Sequence, residues 1–181
     1  IFFKPKSLKE LINFLKIYSK RGKIFILGAG SNVLFKDVAY EGVIIKLGKN
    51  FSNISMLNND MIVAGGATTQ RKLSDFAKDN NISGLEFLSC IPGSVGGGIR
   101  MNSGCFGKEF KDVLVSIQTI DFDGIVQTIP VKKINFNYRN TDLDKNLIFL
   151  SATFKGFNKN NIDIEKYMNE LKNKKDKAQP S

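Results

Sequence analysis

Two glycine-rich stretches carry the residues best suited to chemistry. The first is Gly28-Ala29-Gly30-Ser31-Asn32, directly after the apolar run Lys23 to Leu27, which reads as a buried strand. The second extends from Gly84 to Gly107 and contains Pro92-Gly93-Ser94-Val95-Gly96-Gly97-Gly98 and Asn102-Ser103-Gly104. Glycine admits left-handed backbone angles and lets another molecule approach main-chain N–H groups. Pro92 fixes a turn and removes one donor at the entrance to the second stretch. A buried strand or an ordinary helix disfavours such a run, because each glycine costs about 0.5–1 kcal/mol relative to alanine. The expected compensation is a bound anion, most simply a phosphate, cradled by free amides at Gly93, Ser94, Gly96, Gly97 and Gly98. In the first stretch the Ser31 hydroxyl and the Asn32 side-chain amide join the backbone donors at one spot.

Familiar nucleotide motifs do not explain these turns. The dinucleotide pattern G-x-G-x-x-G fails at Val33, and no clear helix follows. The Walker A pattern fails because no Gly-Lys-Ser/Thr closes the loop. Alone, a Gly-x-Gly-Ser-Asn turn is as readily structural as functional. Two glycine-rich turns in one domain point to a phosphate-rich ligand.

Composition removes several alternatives. The chain has no histidine, which excludes histidine general-base chemistry and histidine-ligated metal within it. The formal net charge is +10 and the pI about 9.6. Such a surface attracts polyanions. The lysines are scattered, apart from the cluster near Lys172 to Lys177, and no nucleic-acid motif accompanies them. A solvated basic surface is the reading, with no specific nucleic-acid partner. The fifteen phenylalanines fall mostly at core-like spacing. Cys90 and Cys105 are too few for a disulfide framework and read as small buried residues in a reduced, cytoplasmic setting. No apolar run of about 18 residues exists, so no membrane span is expected, and no signal peptide opens the chain. The start at Ile1-Phe2-Phe3-Lys4-Pro5, without methionine, reads as trimmed.

The elements that must hold these turns follow from pattern. Ser7 and Glu10 form a capping box ahead of Leu8, Leu11, Ile12, Leu15 and Tyr18, an apolar stripe at helical spacing that Arg21-Gly22 ends. Strands are expected at Ile24–Leu27 and Val43–Lys46, giving a small α/β lobe over residues 1–50. A second lobe, 51–157, starts with short strands at Ser52–Leu57 and Met61–Ala64. A helix at Thr68–Asn80 follows, with Leu73, Phe76 and Ala77 inward. Beyond the long glycine-rich segment come strands Val113–Phe122 and Ile125–Pro130, joined by Asp123-Gly124, a strong hairpin signal. Strands near Ile134–Tyr138 and Leu147–Phe154 are expected to complete a mainly antiparallel sheet. Ile162–Lys175 reads as a helix, within a terminal segment 158–181. The fold class is α+β.

The same residues carry a resemblance. Gly28 to Leu34, Gly84-Leu85-Glu86-Phe87-Leu88, Ile91-Pro92-Gly93-Ser94-Val95-Gly96-Gly97, Met101-Asn102-Ser103-Gly104 and Tyr138-Arg139 resemble, in order and spacing, the UDP-N-acetylenolpyruvoylglucosamine reductase family over nearly the whole chain. More broadly, the chain is similar to the two-lobed FAD-binding domain of vanillyl-alcohol oxidase-type enzymes. The departures are mild: Thr141 where serine is frequent, and Cys90 and Cys105 where glycine or alanine is usual. The resemblance implies non-covalent FAD, since the usual histidyl attachment point is missing, and NADPH as hydride donor. It implies reduction of the enolpyruvyl ether of UDP-N-acetylglucosamine to UDP-N-acetylmuramate, for peptidoglycan synthesis. The cofactor contacts it implies are Gly28, Ala29, Gly30, Ser31, Asn32, Pro92, Gly93, Ser94, Gly96, Gly97, Asn102, Ser103 and Gly104. On the residues alone, Arg139 reads as a surface arginine at a strand end. The resemblance makes it the catalytic cation facing the charge that hydride addition builds at the carboxylate-bearing carbon, with Tyr138 beside the substrate. It also implies a third, substrate-binding domain after the terminal helix, carrying a serine and a glutamate, so that this chain is the FAD-binding portion and is inactive alone. The alternatives are another FAD-linked oxidase or dehydrogenase of the same fold and a basic nucleic-acid-binding domain.

Overall fold

The first helix, α1 (Leu8–Tyr18), starts where Ser7 Oγ accepts the Glu10 amide at 3.1 Å. Only this half of the expected capping box forms. Glu10 Oε2 accepts the amide of Lys6, at 2.6 Å, instead of that of Ser7. Leu11 and Leu15, one turn apart, are fully buried against Val43 and Ile45. Those two belong to a three-stranded parallel sheet in the order Phe2–Phe3, Val43–Ile45, Ile24–Ile26. The edge strand Phe2–Phe3 is too short to have a readable period and was not expected. The computed structural model describes residues 1–178; residues 179–181 of the expected 158–181 segment lie outside the described residues.

The larger sheet is antiparallel throughout, in the order Val126–Pro130, Leu114–Ile120, Ile148–Lys155, Met61–Gly65, Ile54–Met56. The Asp123-Gly124 turn forms as expected. Asp121 Oδ1 accepts the amides of Asp123 and Ile125, and Gly124 adopts φ +83°. The central strand serves two cores because it carries a bulge. Strict alternation puts Ile148, Leu150, Ala152 and Phe154 on one face. The register shifts between Phe149 and Ser151, and one extra residue flips the faces. Ile148 and Leu150 therefore pack with α1, while Phe149, Ala152 and Phe154 pack into the larger core.

That larger core is covered by α2 (Gln70–Asp79), α3 (Val95–Arg100) and α4 (Asn161–Ala178). Thr69 Oγ1 caps α2 by accepting the Lys72 amide at 3.2 Å. Leu73 and Ala77 of α2 and Leu171 of α4 enter the core. Glu86 is buried, and among the described residues no cation pairs with it. Its carboxylate accepts from the Ser83 hydroxyl and the Gly84 amide, so it fastens a turn. Among the described residues no helix is long and apolar enough to cross a membrane, and no His/Cys/Asp/Glu group could hold a metal.

Two expectations are corrected here. The run Gly96-Gly97-Gly98 lies inside a helix, α3, rather than in an open loop. Glycine serves there for close approach: a Cβ at Gly98 would collide with the Phe110 ring, and one at Gly96 would press the Gly66 carbonyl oxygen at 3.2 Å. In addition, Ile134–Tyr138 is not a strand of the main sheet. Phe136–Asn137 pairs with Asn140–Thr141 as a separate two-stranded hairpin, with Tyr138 and Arg139 at its tip. Asn135 and Asp142 lock its base through the Asn135 amide and side chain, at 2.9 and 2.6 Å.

Candidate active site and nucleotide cleft

The two glycine-rich stretches meet. Ser31 Oγ donates to the Pro92 carbonyl at 3.1 Å, and a Cβ at Gly28 would sit 2.8 Å from Ser94 Oγ. Between them opens a cleft of about 1290 Å³, larger than the roughly 300–1,000 Å³ of an ordinary small-ligand site. Every sequence-predicted residue lines this one cleft: Gly28 to Asn32, Pro92, Gly93, Ser94, Gly96, Gly97, Asn102, Ser103, Gly104, Tyr138 and Arg139.

The donors are distributed differently from the expectation. Gly96 N–H donates to Gly66 O at 2.9 Å, Gly97 N–H to Ser94 Oγ at 3.3 Å and Gly98 N–H to Ser94 O at 2.8 Å. Asn102 and Ser103 amides are likewise taken, by Ile99 O and Gly98 O. These amides are not free, because α3 and the turn after it consume them. Among the described residues, the amides of Gly28 to Asn32 and of Gly93 and Ser94 have no intramolecular acceptor. Strand Ile24–Ile26 ends before the first group, and the bridge between Thr69 and Ser94 turns the second group outward from the ladder.

Asn102 lines the cleft and also serves as an internal tie. It is buried, with φ +40°. Its Nδ2 donates to Glu109 Oε2 at 3.0 Å and to Asn137 O at 3.4 Å, and its Oδ1 accepts the Lys111 amide at 3.2 Å. Its side chain therefore joins the glycine-rich turn to the hairpin that carries Arg139. Asparagine suits the position because it tolerates left-handed φ and both donates and accepts.

Arg139 occupies the second turn position of its hairpin at φ +52°. Its guanidinium lies 5.6 Å from the Tyr138 ring centroid. Both side chains are exposed at the mouth of the cleft. Below them, Glu109 Oε2 and Lys111 Nζ are 2.7 Å apart. The hydrogen bonds from Lys111 and then Asn102 hold the Glu109 carboxyl below its usual range, and Glu109 raises Lys111 in turn.

Sequence reasoning missed several cleft residues. Gln70 lines the cleft and is buried, as is Thr68 behind it, and among the described residues Gln70 Oε1 and Thr68 Oγ1 have no hydrogen-bond partner. Lys46, Lys108, Lys111 and Lys145 bring positive charge to the walls, and Arg100 and Phe149 stack within it. Arg100 stands inside the glycine-rich segment, so its position was the available signal. The lysines come from separate elements and leave no local pattern. Cys105 also faces the cleft. Burial first, and then neighbouring Cys90, push its thiol up to about 12.

These features fit a dinucleotide. Open amides on two turns and lysines on the walls suit phosphates. Nothing but the Ser94 hydroxyl, at 3.4 Å, stands near a Cβ built at Gly97, and nothing within 4 Å near one at Gly30. Bare backbone there allows a flat group to approach.

Residues 1–130 match the FAD binding domain family. The chain is 61% identical over 181 residues to the UDP-N-acetylenolpyruvoylglucosamine reductase of Pelagibacter ubique, covering 100% of this chain and 60% of that protein. It is 46% identical over 180 residues to the enzyme of the same name from Rickettsia conorii, covering 99% of this chain and 61% of that one. A crystal structure of UDP-N-acetylenolpyruvylglucosamine reductase from Thermus caldophilus superposes with a TM-score of 0.86 at 26% identity, over 99% of this chain and 64% of that one. The chain thus spans about 60% of the length of these curated relatives.

Proposed function

From the premise that this chain belongs to the FAD binding domain family, we propose that it is the flavin-holding portion of a UDP-N-acetylenolpyruvoylglucosamine reductase that uses NADPH. Bound FAD supplies a carrier for hydride between NADPH and the enolpyruvyl ether of a UDP-sugar. The observation that carries the reading is the convergence of both glycine turns and the Tyr138-Arg139 hairpin on one cleft.

The chain's own residues divide the work. The open amides of Gly28 to Asn32 and of Gly93 and Ser94 hold the anionic phosphates. Gly30 and Gly97 keep the cleft free of side chains. Arg139 holds the substrate carboxylate and stabilises negative charge on the adjoining carbon as hydride arrives, because arginine stays charged and offers two parallel donors. Tyr138 flanks the same substrate. The cofactor is held without a covalent bond. No histidine exists in the chain, and the Cys105 thiol, pushed up to about 12, stays protonated and a poor nucleophile at neutral pH. The chain covers about 60% of the length of its curated relatives, and the reaction proposed here is that of the longer protein. The proposed reaction belongs in the cytoplasm, where free thiols such as Cys90 and Cys105 stay reduced.

The test uses the full-length protein. A flavin spectrum, complete release of flavin by acid, and NADPH-dependent reduction of the enolpyruvyl sugar are expected. Flavin remaining in the acid pellet contradicts non-covalent binding. A flavin-loaded protein that reduces a different alcohol or sugar substrate, and not this one, overturns the reaction.

A further inference from the structure

Arg100 is the last residue of α3 and faces the cleft, yet among the described residues no carboxylate lies within salt-bridge distance of it. Burial lowers its pKa, with Asp144 acting weakly in the other direction. A half-buried guanidinium without an ion pair needs another function to offset its desolvation. The structure shows where its donors go. Nη1 donates to Leu143 O at 2.7 Å and Nη2 to Leu147 O at 3.0 Å. The plane stacks on Phe149, 4.7 Å from the ring centroid. Its own carbonyl accepts the Thr141 hydroxyl, at 3.5 Å.

We propose that Arg100 is a positioning residue that clamps the 139–147 segment to the cleft floor and so sets where Arg139 and Lys145 stand. Resting on the function proposed above, this gives Arg100 no contact with substrate. It acts through the two carbonyls. The Leu143 and Leu147 side chains pack on the larger core, but among the described residues the other hydrogen bonds of 144–147 are turn bonds within the segment, Asn146 N–H to Asp144 Oδ1 at 2.8 Å and Leu147 N–H to Asp144 O at 3.2 Å. A planar fork spans two carbonyls at once, whereas an ammonium is a single point of charge on a flexible stem. The Phe149 stack fixes the plane of the fork. The hairpin, through Thr141, and the loop, through Leu143 and Leu147, are thereby both referred to one helix terminus.

The experiment is amide hydrogen exchange on the full-length, FAD-loaded protein, with the two half-reactions measured alongside. Arg100→Met keeps the apolar stem and removes the fork; Arg100→Lys keeps the charge. Both are expected to retain flavin. The amides of Asn146 and Leu147 should exchange about tenfold faster, with exchange in α2 unchanged. The step with the enolpyruvyl substrate should slow about tenfold to a hundredfold, while flavin reduction by NADPH changes little. Lysine should restore part of the exchange protection and part of the rate. Unchanged exchange at residues 143–147 in Arg100→Met overturns the proposal, as does faster exchange spread evenly over the chain. If Arg100→Met does not fold, Arg100→Lys decides by the same readout. A wild-type protein that binds FAD but leaves the enolpyruvyl sugar untouched overturns the proposed function instead, and the exchange result still judges Arg100.

Discussion

Arg139 sits where the backbone resists it. A non-glycine residue at φ +52° carries strain of about 1–2 kcal/mol. Strain of this kind collects at functional sites. Arg139→Gly should therefore raise stability by up to about 1 kcal/mol, relief of strain exceeding the added chain entropy of glycine, while turnover falls. Thermal unfolding beside a rate measurement checks both signs. Arg139→Ala should slow the step with the enolpyruvyl substrate by roughly a hundredfold, as for loss of an oxyanion donor, and leave flavin reduction by NADPH intact. Stopped-flow measurement separates these steps, and a slowed flavin reduction would move Arg139 to the NADPH step. Cys105 makes a pH prediction. Its folded thiol ionises near 12, against 9.0 for a free one. The unfolded state therefore loses its proton first. Stability from this group is complete below pH 9 and falls as pH rises from 9 toward 12. Native protein at pH 8 should resist iodoacetamide at Cys105 and react only when denatured. Rapid native labelling would contradict the buried, protonated thiol.

The glycines of α3 separate two purposes within one turn of helix. Gly98 makes room for the Phe110 ring, so Gly98→Ala overpacks the core and should cost roughly 1–3 kcal/mol in urea unfolding. Gly97 has only its own cap, Ser94 Oγ, for a neighbour, and Gly97→Ala should leave stability within about 1 kcal/mol, gaining in helix propensity what it loses in contact. Similar unfolding curves for the two variants would contradict this division. Sequence pattern located the elements that have a strong local period: α1 with Leu11 and Leu15, α2 with Leu73 and Ala77, and the Asp123-Gly124 hairpin. It misread α3, because glycine's low propensity was weighed without Phe110, which arrives from further along the chain. It also misread Phe136–Asn137, whose partner and tip are too short to show alternation. The edge strand Phe2–Phe3 exists only because Ile44 and Ile45 lie alongside it, and nothing local announces that. In the site, small residues in order were legible. Which amides remain free was not, because Gly66, Ser94 and Ile99 decide it through contacts that have no sequence signature.

At the scale of the molecule, one bulged strand holds the site together. Ile148 and Leu150 anchor it in the core of α1, and Phe149, Ala152 and Phe154 anchor it in the larger core. The cleft lies along the seam, with Phe149 in its wall. Each glycine turn belongs to a different core, so their spacing depends on this strand and on the close contacts at Gly65 and Gly66. A Cβ at either would collide with a carbonyl, of Phe51 or Phe149. The net charge of +10 suits a cleft that takes polyanions. Equilibrium titration of the full-length apoprotein with FAD, followed by flavin fluorescence in wild type and in Gly97→Val, decides whether the cofactor lies over these glycines. The Gly97 site is preferable to Gly96, where a side chain presses on the Gly66 carbonyl and disturbs the fold itself. Wild type should bind FAD saturably, and the variant should bind it with an affinity lower by about tenfold to a hundredfold, with its unfolding transition intact. Equal affinity for FAD in a folded Gly97→Val protein would contradict the placement of the cofactor over these glycines.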